Sequence, residues 1–428
     1  MKIRIKNVRA MVPCAGSLAV QNCDIVTDGD RIVSLDGTGG ENCARVIDGS
    51  GKFAIPGLVN AHTHAYMTLF RNSADDLPFQ KWLFDRIMPM EDRLKPGDCY
   101  WTTLLGMCEM LRSGTTTFLD MFMFPDDTAR AVADSGMRAV LSRGLQGETA
   151  DDAGGMRRIR EAKQDILAYG SGAAEGRITF MLAPHAPYTC APAYLQTVVE
   201  TAAELGVGIH THIAESRGEI ETIRERYGCT PVEMLEKAGV FSRHTAAAHC
   251  VHVTPNDIRI LRDNRVSVLT NPSSNLKLGN GFAPVPDLLE SGVNVALGTD
   301  SAASNNTLNM FHEINMLALI HKGTHEDPVT VTSAEAVAAA TTGGAKALDL
   351  PIGELAVGKK ADIVLLDLSC PQMNPPTNLI SSLAFSANGS EVDTVIVNGK
   401  VLLDHRRLTT IDEERVIFES NRIFERIR

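Results

Sequence analysis

Pro56-Gly57-Leu58-Val59-Asn60-Ala61-His62-Thr63-His64 is a short apolar run that closes on two imidazoles one residue apart. Alternate residues of a strand face the same side, so a strand here presents His62 and His64 together. Seven further runs of this kind follow, at Thr115–Asp120, Arg138–Ser142, Ile178–Pro184, Val207–Ile213, Thr245–His249, Val266–Asn271 and Val293–Asp300. Helical stretches lie between them. One spans residues 96–112 and stops at Ser113-Gly114; another spans 192–205 and stops at Gly206. Each opens on a proline, and proline first with glycine last is the helix asymmetry. Strands alternating with helices pair in parallel through helical crossovers. An open doubly wound sheet has the same alternation, and the polar residues decide between the two. The runs carry them at or just past their C-terminal ends: His62, His64, Asp120, Arg143, His185, His212, His249, Asn271 and Asp300. In a (β/α)8 barrel those ends converge on one rim, where active sites lie. The chain is therefore read as α/β, with a TIM-type barrel over residues 56–350.

Both flanks are β in character. Ile3 and Ile5 alternate with Lys2, Arg4 and Lys6, and short strands are expected at Cys23–Val26 and Arg31–Leu35 around an Asp28-Gly29-Asp30 turn. Far along the chain, Asp362–Asp367 and Thr394–Val401 repeat the pattern, the second turning at Asn398-Gly399, a strong hairpin signal. A length of 428 residues exceeds the about 250 that a bare barrel needs. One small β-sandwich domain built from residues 1–55 and 351–428, with a terminal helix, accounts for the excess.

Composition narrows the function classes. A formal charge of −11 argues against nucleic-acid or anionic-membrane partners. Nine cysteines, an odd number with no CxxC pair, fit reduced thiols in a cytoplasm better than a secreted disulfide scaffold. No signal-peptide core or membrane-length apolar stretch is found, and a cytoplasmic location is expected.

His62, His64, His212 and Asp300 form the expected metal centre. Three imidazoles and a carboxylate suit one divalent ion, zinc or alternatively iron(II), with a position left for water. A lone histidine is more often a satisfied core residue, but here the groups close separate strands at one rim. His210 falls two residues before His212 and so one layer deeper, which suits support of a ligand better than ligation.

These segments resemble the amidohydrolase superfamily. The carrying motifs are Pro56–His64, Gly298-Thr299-Asp300 with Ser304-Asn305-Asn306, and Gly353-Glu354-Leu355 through Gly358–Val364, and the likeness spans essentially the whole chain. The run Phe180-Met181-Leu182-Ala183-Pro184-His185 lacks the lysine that bridges two metals in binuclear relatives, so the resemblance implies one ion. Asp76–Leu83, Pro89–Leu94, Ser142–Leu145 and Asn271–Gly281 are most similar to deaminases of S-adenosylhomocysteine, 5′-methylthioadenosine and related adenosines. That likeness implies hydrolytic loss of the 6-amino group as ammonia. The implied roles are water deprotonation for Asp300, orientation of the attacking water for His249, and proton delivery to the ring nitrogen for Glu215. It further implies substrate contacts from Trp82, Glu91 on the ribose diol, Arg143 on a carboxylate (Arg157 or Arg158 being weaker candidates), His185 and Ser304. Homo-oligomers, dimers or tetramers, are implied as well. Competing expectations are the same scaffold acting on guanine, a pterin or a triazine, and a non-catalytic assembly protein, although such relatives lose ligands and none is lost here.

Overall fold

The structure, a computed structural model, describes residues 1–14, 16–170 and 172–428. The chain opens with two twelve-residue strands, β1 (Ile3–Cys14) and β2 (Ser17–Asp28), paired antiparallel as a long hairpin. They are longer than the sequence suggests, because the polar Gln21 and Asn22 occupy exposed positions within the ladder and the polar Asn7 falls in a register shift between Ile5 and Val8 that the strand carries through. Then come β3 (Arg31–Ser34), β4 (Arg45–Asp48) and β5 (Lys52–Pro56).

A single residue, Gly57, separates β5 from strand β6 (Leu58–Thr63). Gly57 makes that passage possible: a Cβ there would lie 2.0 Å from Thr116 Oγ1. The parallel set continues through β7 (Thr115–Phe122), β8 (Arg138–Leu145), β9 (Ile178–Pro184), β10 (Gly208–Ile213), β11 (Thr245–His249), β12 (Ser267–Thr270) and β13 (Asn294–Leu297). Each pairs with its chain neighbour, β6 to β13 in order. The ends of this sheet meet without a regular ladder. Thr299 N–H donates to Asn60 Oδ1 (2.9 Å), Asn60 Nδ2 donates to Thr299 Oγ1 (2.7 Å), and Asp300 N–H donates to the His62 carbonyl (2.9 Å). A single apolar cluster takes residues from seven of these strands, among them Val59, Leu119, Val140, Met181, Ala246, Leu269 and Ala296, and adds Leu348 and Ile352. Side chains from so many strands can touch only in the space the strands enclose, so the interior is packed and the rim carries the polar chemistry.

The chain then returns to the first sheet as β14 (Ile363–Asp367), β15 (Val392–Val397), β16 (Lys400–Asp404) and β17 (Arg407–Leu408), before a terminal helix at Glu413–Ile427. β14 pairs antiparallel with β5, which joins the two halves into one nine-stranded mixed sheet. The expected turn at Asn398-Gly399 links β15 to β16, both residues at positive φ (53° and 72°). All nine cysteines are free. Among the described residues no helix is long and apolar enough to cross a membrane.

One buried ion pair ties barrel to sheet. Arg138 Nε donates to Asp362 Oδ2 (2.8 Å) and Nη2 to Oδ1 (3.1 Å), both side chains 2% exposed. Asp362→Ala leaves a guanidinium buried without its carboxylate, which costs about 3–5 kcal/mol. The thermal midpoint is expected to drop by several degrees; a midpoint within about 1 °C of the parent contradicts this.

Candidate metal centre

Four imidazoles and one carboxylate meet at the C-terminal rim. His62 lies in β6 and His64 one residue beyond it; His212 belongs to β10 and His249 ends β11. Asp300 lies past the end of β13, in a loop rather than in the strand expected from its sequence. Ring centroids of His62 stand 5.1, 5.0 and 5.3 Å from those of His64, His212 and His249. Asp300 Oδ1 is 3.5 Å from His62 Nε2 and 3.6 Å from His64 Nε2. Ligating atoms of His62, His212 and His249 lie within 4.8 Å of one another, as do those of His62, His64 and Asp300. His249 and Asp300 both sit at left-handed backbone angles, φ 72° and 60°. Such angles cost non-glycine residues of order 1–3 kcal/mol and persist only where surroundings impose them.

The outer nitrogens show which lone pairs are free. His64 Nδ1 faces the Met121 carbonyl (3.0 Å), His212 Nδ1 the His185 carbonyl (2.6 Å) and His249 Nδ1 the Asn275 Oδ1 (2.8 Å). The two carbonyls only accept, so Nδ1 of His64 and of His212 carries the proton and Nε2 keeps a lone pair, whereas His249 Nδ1 also has Asn271 Nδ2 at 3.4 Å. Burial pushes the His62 pKa down to about 4 and those of His64 and His212 down as well, so the rings are neutral. Asp300 is buried, and its carboxylate is met by three hydrogen-bond donors. Its Oδ2 accepts from Ser274 (2.6 Å) and Ser304 (3.0 Å), and Oδ1 accepts from Ser301 N–H (2.7 Å). His62 Nε2 is buried with no hydrogen-bond partner. Convergent imidazole nitrogens, a buried ring nitrogen without a partner and a carboxylate are what a divalent ion of the zinc type requires.

Glu215 lies beside this cluster. Its Oε2 is 3.9 Å from His249 Nε2, and its Oε1 accepts from Asn280 Nδ2 (3.2 Å). Burial raises its pKa, with the charge of His249 opposing. For His249 burial acts downward, but the carboxylates of Glu215 and Asp300 bring the net shift upward. His185, half-buried, packs its ring 4.8 Å from that of His212.

The other substrate candidates are distributed less evenly. Glu91 accepts a hydrogen bond from Tyr66 Oη (2.5 Å), and burial pushes its carboxyl up to about 7. Trp82 is buried against Phe79 (rings 5.9 Å apart), with its indole N–H unpartnered. Ser304 departs from expectation: it is fully buried and its hydroxyl donates to Asp300 rather than being left for a ligand. Arg143 is engaged too, its guanidinium 3.1 Å from Glu161, which also lies 3.7 Å from the largely exposed Arg157. A cleft of about 510 Å³ lined by Arg71, Arg112, Arg406 and Glu413 shares no residue with the imidazole cluster.

Supporting contacts escape sequence reading. Asp120, which the sequence places at a strand end without a role, accepts from Thr63 Oγ1 (2.9 Å) and Ala65 N–H (2.7 Å), pinning the chain on either side of His64. Glu219 accepts the backbone N–H of Ala214 (2.9 Å) and of Glu215 (3.0 Å). The pattern Ser216-Arg217-Gly218-Glu219 is a capping-box signature and could have drawn attention to it, although its carboxyl bonds two other amides.

A profile of the amidohydrolase family matches residues 53–402. A 5-methylthioadenosine/S-adenosylhomocysteine deaminase of Caldanaerobacter subterraneus subsp. tengcongensis is 46% identical over 426 residues, covering 98% of this chain and 97% of its own. The crystal structure of an adenosine deaminase from Xanthomonas campestris with bound zinc superposes with a TM-score of 0.93 at 32% identity, covering 100% and 98%. An atrazine chlorohydrolase from Arthrobacter aurescens TC1 complexed with zinc gives 0.91 at 25% identity, covering 99% and 100%. The chain belongs to the amidohydrolase family.

Proposed function

We propose that the chain hydrolyses the 6-amino group of an adenosine-type nucleoside, such as S-adenosylhomocysteine, 5′-methylthioadenosine, adenosine or 5′-deoxyadenosine, releasing the inosine analogue and ammonia. The observation that carries this reading is a buried carboxyl of raised pKa, Glu215, set against four imidazoles and Asp300. In this proposal His62, His64, His212 and Asp300 hold one divalent ion, with zinc first and iron(II) second. When bound, such an ion lowers the pKa of water to about 7. Asp300, facing His62 and His64 at 3.5 and 3.6 Å, would accept the proton of that water. His249, 3.9 Å from Glu215, orients that water. Glu215 holds a proton in its dry pocket and delivers it to ring nitrogen N1 as C6 becomes tetrahedral.

Glu91 receives the ribose diol, Tyr66 steadying one of its oxygens, and Trp82 and His185 border the nucleoside. Ser304 and Arg143 are read instead as holding Asp300 and Glu161. The proposal extends to a divide into residues 1–55 with 351–428 and residues 56–350, to a dimer or tetramer, and to a cytoplasmic setting.

Ammonia release from adenosine, methylthioadenosine, S-adenosylhomocysteine, 5′-deoxyadenosine and guanine, using metal-analysed protein, tests the reading. Turnover of guanine with none of the nucleosides would overturn it in favour of a bare heterocycle. Glu91→Gln is expected to raise KM for ribonucleosides by on the order of tenfold while sparing metal content, since a charge-assisted pair of hydrogen bonds is weakened. The same change should leave 2′,3′-dideoxyadenosine kinetics untouched; an equal effect on both substrates removes the ribose assignment.

A further inference from the structure

His64 and His212 each have their outer nitrogen against a backbone carbonyl, which can only accept and settles their tautomer on the spot. His62 does not. Its Nδ1 lies 2.9 Å from His210 Nε2, and an imidazole nitrogen either donates or accepts according to its own tautomer. The next contact decides. His210 Nδ1 lies 3.0 Å from Ser142 Oγ, and Ser142 Oγ donates to the Asp120 carbonyl at 2.7 Å. A hydroxyl has one proton, and a carbonyl offers none. With that proton committed to Asp120, Ser142 accepts from His210 Nδ1–H. The neutral His210 ring is then bare at Nε2 and accepts from His62 Nδ1–H, which leaves the lone pair of His62 on Nε2.

We infer that Ser142 is a positioning residue that sets the tautomer of His62 through His210, keeping His62 Nε2 free as a metal ligand. All four residues are fully buried, on β6, β7, β8 and β10, so no solvent donor competes. In the opposite state His210 donates from Nε2, and His62 aims an N–H at the ligand position. Asp300 gives little support to that state: its Oδ1 is 3.5 Å from His62 Nε2, long for a hydrogen bond, and already accepts from Ser301 N–H. The inference rests on the reading of His62 as a ligand, but the tautomer itself is measurable without metal.

The test uses full-length protein labelled with ¹⁵N-histidine. In the metal-free parent, two-bond ¹H–¹⁵N correlations are expected to show both His62 and His210 protonated at Nδ1; Nε2–H on His62 overturns the inference. Ser142→Ala is expected to admit the second tautomer and to weaken zinc binding, by chelator competition, about 10- to 100-fold. In a His210→Gln background the glutamine carbonyl accepts from His62 without help from the serine. Adding Ser142→Ala there is expected to leave zinc affinity within about twofold, since the residue acts only through His210. Equal losses in both backgrounds, or no loss in the first, reduce Ser142 to packing. A parent that binds no zinc sinks the metal reading alone, because the tautomer result stands apart from it.

Discussion

Asp300→Asn is expected to lower kcat by at least about 10⁴-fold, the upper range for loss of a proton acceptor, because the same side chain is assigned a place beside the ion. Asparagine fills the same volume, and the hydroxyls of Ser274 and Ser304 can turn to accept from its amide, so folding should survive. What disappears is the negative charge that faces His62 and His64 at 3.5 and 3.6 Å. The amide cannot take a proton from water. Metal analysis beside the rate measurement separates the two losses: full metal with no turnover isolates the proton transfer, whereas lost metal points to ligation. Retention of even a tenth of parental kcat would remove Asp300 from the mechanism.

Glu215→Gln is expected to reduce kcat by on the order of 10²–10⁴ while KM and metal content stay close to parental. The pH dependence carries more information than the rate. An acid must be protonated to deliver its proton, and burial raises the pKa of Glu215 above the ordinary carboxyl value. Parental kcat/KM should therefore hold below that raised pKa and fall as pH climbs through it. Glutamine does not titrate, so this alkaline limb should vanish from the residual activity. A limb that survives unchanged belongs to another group.

The barrel was legible because its evidence is local. Ile178–Pro184 and Thr245–His249 have the same ends in sequence and structure, since each is an apolar run bounded by turn or helix punctuation. The metal-site candidates were legible for a related reason: histidines at strand ends are rare enough to stand out, and one topology gathers them. Hydrogen-bond partners could not be read this way. Whether the Ser304 hydroxyl goes to substrate or to Asp300 depends on where the loop after β13 turns, which no periodicity encodes. Arg143 and Glu161 meet because a helix packs beside β8, and the sequence marks neither as the other's partner. Tyr66, Ser142 and Asp120 act through contacts of this type, so their partners emerge only from coordinates.

Pairing of β5 with β14 has a consequence for biosynthesis. About three hundred residues separate them, so during synthesis at about 5–20 residues per second the nascent β5 edge waits roughly 15–60 s for its neighbour. Through that interval a hydrophobic strand border is open to other chains, as an aggregation template would be. Slowing the ribosome over the barrel should lengthen the hazard, and a chaperone that shields the N-terminal hairpin should relieve it.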